Sequence, residues 1–126
     1  MKTRISRKKT VLFTLAMCLS LAFPAASYAE STLVHASRSG ASYFINDWTA
    51  TATASYLGST EILDYGFNTF LINEDVAYAY SDGSIHCARI RNGNGTKSGS
   101  FVVARETSNL EIQHSGTTVD YYSIAQ

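Results

Sequence analysis

Residues 48–57, "WTATATASYL", decide how the chain folds. Trp48, Ala50, Ala52, Ala54 and Tyr56 fall on one side of an extended backbone. Thr49, Thr51, Thr53, Ser55 and Leu57 fall on the other. Strict period two over ten residues describes a strand, and the β-branched threonines suit a pleated surface. The alanine row is small enough to lie beneath a closely approaching sheet or loop.

The same punctuation spreads outward from this strand. Asn46-Asp47 precedes it and Leu57-Gly58-Ser59 ends it. "TEILDY" and "FNTFLI" flank Gly66, where a bulge or tight bend is expected. Asn73-Glu74-Asp75 leads into "VAYAYS". Asp82-Gly83 reads as a two-residue hairpin turn into "SIHCARIR". "NGNG" (92–95) turns the chain into "SGSFVVARE", and Ser108-Asn109 and Ser115-Gly116 separate "LEIQH" and "TTVDYYSIA". "ASYFINDWTATAT" and "AYAYSDGSIHCARI" echo each other weakly, both running aromatic strand, Asn/Asp turn, alternating strand. No stretch repeats apolar residues at helical spacing for three turns. Seven or eight strands at this spacing predict an all-β fold, a small antiparallel β-sandwich built from hairpins.

The first residues differ in kind. "MKTRISRKK" is basic, "TVLFTLAMCLSLAF" is apolar, and Ser27-Tyr28-Ala29 is a small-x-small site. This is the layout of a cleaved N-terminal secretory signal peptide, 1–29, ahead of a single secreted domain, 30–126. Met17 directly before Cys18 fits a lipoprotein site poorly. The whole chain carries 10 basic and 10 acidic residues. Five of the basic ones lie in the leader and all ten acids follow it, so the exported part is net −5. That charge favours neither nucleic acid nor stable insertion into an anionic membrane. Cys18 leaves with the leader, and Cys87 then has no partner in its own chain. A disulfide-linked dimer through Cys87 is the one covalent pairing open to it.

Assembled chemistry is hard to find. His86 and Cys87 are neighbours, but successive strand residues face opposite ways, so the pair cannot form a nucleophile and base. The expectation is a packed thiol and a partly exposed imidazole. "GNGTKSG" lacks the Gly directly before Lys-Ser that a phosphate loop needs. His35, His86, His114 and Cys87 have no metal-ligand spacing. Glu61 and Asp64 fall on opposite strand faces, unsuited to a glycosidase pair. The reading is therefore of a protein that is not an enzyme and needs no cofactor or metal. Tyrosines exposed together would instead form an adhesive patch. Tyr78 and Tyr80 on one strand face, with Tyr121 and Tyr122 near the end, are the candidates.

The second half also resembles a known family. "VAYAYSDGSIHCARIRNGNG" (76–95) is similar to the strand-turn-strand core of lactococcin 972-type bacteriocins. Val76, Ala79, Tyr80, Ser81, Gly83, Ser84, His86, Ala88, Ile90 and Asn92 match that pattern. "VARET" meets the family's Trp-Ala-Lys strand, with Val103 in place of Trp, and Tyr121-Tyr122 meet its terminal Tyr-Tyr. Residues 30–75 lie outside the match. The resemblance implies a secreted antibacterial β-sandwich. It would act without catalysis on a cell-envelope component of sensitive cells, at cell-wall precursor or septum formation. The binding residues so implied are Tyr78, Tyr80, His86, Tyr121 and Tyr122. A secreted non-toxic binding module, such as an inhibitor, immunity or adhesion factor, is the alternative.

Overall fold

A computed structural model describes residues 29–126. The expected signal peptide lies outside the described residues, apart from Ala29. Eight strands follow in order: β1 Ser31–Ser39, β2 Trp48–Tyr56, β3 Ser59–Asn68, β4 Glu74–Ser81, β5 His86–Asn92, β6 Gly95–Ser98, β7 Thr107–Gln113 and β8 Thr118–Ala125. A single 3-10 turn, Ala41–Phe44, bridges β1 and β2. The strands form two antiparallel four-stranded sheets, β1-β8-β5-β6 and β2-β3-β4-β7. The all-β reading holds, and the two sheets pack face to face as a sandwich.

The alternation in β2 sets its orientation. Ala50, Ala52 and Ala54 turn inward against the core while the threonines stay outside. Small residues recur opposite large ones. Ala77, Ala79 and Ala88 have no exposed surface, and they leave room for Leu63, Phe67, Ile90 and Tyr121. Burying a side chain such as Phe67 or Leu63 contributes about 1.5–3 kcal/mol. Trp48 meets Tyr65 and Tyr121 edge-on, with ring centroids 5.7 Å and 6.1 Å away.

Several local expectations change. Asp82-Gly83 is no hairpin turn, because β4 and β5 belong to different sheets. It is a corner. Ser81 Oγ accepts hydrogen bonds from the Gly83 and Ser84 amides at 3.3 Å and 3.0 Å. Asp82 Oδ1 accepts one from the Thr60 amide at 2.7 Å. "FVVARE" forms no strand beyond a single bridge from Val102 to His86. "FNTFLI" divides, with Phe67 and Asn68 ending β3 and residues 69–73 forming a loop. Gly66 makes no bulge, since β3 pairs with β2 in unbroken register. What Gly66 provides is close approach, for a methyl group there would collide with the Trp48 carbonyl oxygen. The internal echo fails too, because "ASYF" is a 3-10 turn where its counterpart is strand.

Candidate binding face

The structure separates the five expected binding residues. Tyr78 and Tyr80 are half-buried on the outer face of the β2-β3-β4-β7 sheet. Tyr122 lies on the outer face of the other sheet, its ring stacked on His35 with centroids 4.7 Å apart. Tyr121 and His86 lie between the sheets with no exposed surface. They cannot touch a partner while the domain is folded, and this corrects their place in the expected surface.

Their burial has a clear cause. Period two puts Tyr121 inward wherever Tyr122 faces out. The Tyr121 hydroxyl donates to the Gly66 carbonyl at 3.3 Å, and burial pushes its phenol well above the usual tyrosine range. His86 Nδ1 lies 2.8 Å from the Ser84 carbonyl and Nε2 3.0 Å from the Ala79 carbonyl. Both neighbours are acceptors, so a neutral ring donates to one of them and only the imidazolium donates to both. The ring ties β5 to β4 across the corner. It is a structural clip rather than the partly exposed imidazole expected.

Cys87 takes the opposite face from His86, pairing in register with Ile124. Even so, the thiol is fully buried, and burial pushes its pKa up. An interchain disulfide needs a thiol at the surface, so the expected covalent dimer has no accessible sulfur in the folded domain. The other histidines are engaged elsewhere. His35 Nε2 is 3.1 Å from Asp120, and His114 Nδ1 is 2.8 Å from buried Asp75. Asn92 Nδ2 donates to the same Asp75 at 2.9 Å. Among the described residues no group of three or more His, Cys, Asp or Glu could hold a metal ion. No helix among them is long and apolar enough to cross a membrane.

The two outer faces differ in what they leave free. Around Tyr122, charges are spent on each other. Arg89 grips Glu30 through two nitrogens at 2.7 Å and 3.0 Å, and its Nε donates to Ser98. Arg91 and His35 both meet Asp120. Partial burial raises the Asp120 pKa, but those hydrogen bonds outweigh it and hold the carboxyl below its usual range.

On the Tyr78–Tyr80 side too, most polar groups are engaged: Thr51 donates to Asp64, Asp47 accepts from the Thr69 amide and Asn68 from the Phe70 amide. Tyr78 donates to Glu111 Oε1 at 2.7 Å, which pushes its phenol up to about 12. The Tyr80 hydroxyl makes no hydrogen bond among the described residues. On β2 the Thr49, Thr51 and Thr53 hydroxyls line the same face. A hollow of about 380 Å³ opens on this side between Asp47, Thr49, Asn68, Val76 and Tyr78. Aromatic rings, hydroxyls and carboxylates set around a shallow hollow suit the binding of a polar ligand. Sequence reading found the two tyrosines. It missed the hollow and Glu111, because strand pairing joins residues 33 apart and no local pattern announces it.

Compared with known proteins, the chain matches no family model, no curated protein and no solved structure.

Proposed function

We propose that the protein works outside the cell as a non-catalytic, bacteriocin-like antibacterial protein. In this reading it engages a cell-envelope component of neighbouring bacteria and interferes with wall-precursor use or septum formation. The observation that carries it is the half-exposed Tyr78–Tyr80 face with the hollow beside Tyr78. The leader-like first residues and the resemblance in residues 76–125 support the setting. Tyrosine gives contact area at low entropy cost, so two half-buried rings can anchor a ligand.

One observation favours the second reading, a non-toxic binding module. Most positions that carry the resemblance are buried, among them Val76, Ala79, Ser81, His86, Ala88 and Ile90. Such positions speak for a shared way of packing strands more than for a shared target. The separating experiment applies purified folded protein to a panel of related bacteria, following growth, precursor accumulation and leakage. Inhibition with precursor accumulation and no early leakage supports the antibacterial reading. Rapid leakage contradicts its mechanism, and growth unaffected across the panel leaves the binding module.

A further inference from the structure

The loop between β3 and β4 carries three consecutive apolar side chains into solvent. Phe70 is 74% exposed, Leu71 88% and Ile72 51%. From Asn68 to Asn73 the chain has no charged side chain. Leu71 has φ of 68°, a region that costs a leucine energy, so the surrounding loop and not local preference holds this display in place. Two more large side chains, Tyr43 and Ile45, are exposed on the neighbouring segment that Asp47 ties to the base of the tip.

The backbone of the tip depends little on water. The Thr69 amide donates to Asp47 at 2.8 Å, and the Thr69 hydroxyl donates to the same carboxylate. The Phe70 amide donates to Asn68 Oδ1 at 2.6 Å. The Ile72 amide donates to the Phe70 carbonyl at 2.8 Å to close a three-residue γ-turn, and the Asn73 carbonyl accepts from the His114 amide at 2.8 Å. Three of the four amides from Thr69 to Ile72 thus have partners within the chain. Lipid sets this condition, because it offers a free N–H or C=O no replacement for water. A protein partner would instead need a pocket matched to three particular side chains. The hydrophobic effect is non-directional, so fluid acyl chains can close around a convex tip without one.

We propose that Phe70, Leu71 and Ile72 dock the protein on a lipid bilayer, entering its interfacial layer without spanning it. Charge decides the kind of bilayer. Residues 30–126 carry ten acidic and five basic side chains, and the Asp47 and Glu74 carboxylates stand at the base of the loop. Anionic headgroups repel such a surface, so the apolar side chains carry the contact and zwitterionic lipid is favoured. Three side chains hold less tightly than one myristoyl chain, which gives about 10⁴ M⁻¹, so docking is reversible. The hollow beside Tyr78 shares Asp47 and Asn68 with the base of the tip, and docking brings that hollow to the headgroup layer. The contact goes beyond the proposed function, since a non-toxic binding module would dock equally.

Co-sedimentation with phosphatidylcholine vesicles, up to tens of millimolar lipid, tests it, with melting temperature measured beside it. The wild type should bind reversibly. Leu71→Asp should lower the partition by about tenfold or more, with the melting temperature not lowered, because Asp tolerates positive φ. Phe70→Trp should keep binding, and its added fluorescence over that of Trp48 should shift to the blue and be quenched by lipid brominated on its acyl chains. Replacing part of the phosphatidylcholine by phosphatidylglycerol should weaken binding at low salt, and added salt should restore it. A wild type that stays unbound at the highest lipid concentration overturns the proposal, as does binding indifferent to Leu71→Asp or tightened by phosphatidylglycerol. Self-association that Leu71→Asp abolishes, without binding to vesicles, would assign the tip to a protein contact and overturn it equally.

Discussion

Tyr78 shows how one contact gives a residue a measurable signature. Its hydroxyl donates to Glu111, and losing that proton would place a phenolate against a carboxylate. Absorbance titration of the folded protein should therefore show one tyrosine ionising at about 12, against an ordinary value of 10.0. Glu111→Gln should bring it down towards the ordinary value. The folded value is raised, so the stabilisation from this bond is complete below pH 10.0 and is lost as pH rises through about 12. Cys87 gives the opposite kind of signature. Fully buried and with its pKa raised, it should resist a thiol-reactive aromatic disulfide in the native protein and react fully once unfolded. Rapid native labelling would contradict its burial. Both residues were legible in the sequence only as to face: alternation separated Cys87 from His86, but gave no measure of depth.

At the level of elements, β2 was readable because its small and hydroxylated residues alternate without a break. The corner between β4 and β5 was not. Asp82-Gly83 is good turn chemistry in either setting, and turn chemistry does not say which sheet receives the next strand. The "FVVARE" segment looked like a strand from its β-branched residues, yet it has only one bridge to pair with. Two substitutions test the elements directly. Gly66→Ala should destabilise the domain by about 1–3 kcal/mol in denaturant titration, because the new methyl meets the Trp48 carbonyl. Leu71→Asn should be neutral or stabilising by up to about 1 kcal/mol, because Asn accepts the positive φ and the leucine side chain loses no burial. The loop's base should respond to acid. Thr69 hydrogen bonds hold the Asp47 carboxyl below its ordinary 3.8. Their stabilisation is therefore present above that pH and fades as pH falls through the lower folded value, and Asp47→Asn should remove this part of the acid response.

For the whole molecule, the fold class was legible, while which of the expected binding residues share an outer face was not. Strand face and the family resemblance group four tyrosines and a histidine, Tyr78, Tyr80, Tyr121, Tyr122 and His86. A sandwich two layers thick sends one tyrosine of the 121–122 pair inward and sets Tyr122 on the face away from Tyr78 and Tyr80. That leaves Tyr78 and Tyr80 together on one hydroxyl-rich face, the one proposed for binding, and gives Tyr121 and His86 to the core. The most direct measurement is binding of fluorescently labelled protein to isolated envelopes of related bacteria, comparing wild type, Tyr78→Ala/Tyr80→Ala and Tyr122→Ala, each first shown to be folded. Saturable binding should fall about tenfold or more in the Tyr78→Ala/Tyr80→Ala variant and stay unchanged in Tyr122→Ala. Equal binding by all three proteins, or loss confined to Tyr122→Ala, would contradict the assignment of the Tyr78–Tyr80 face.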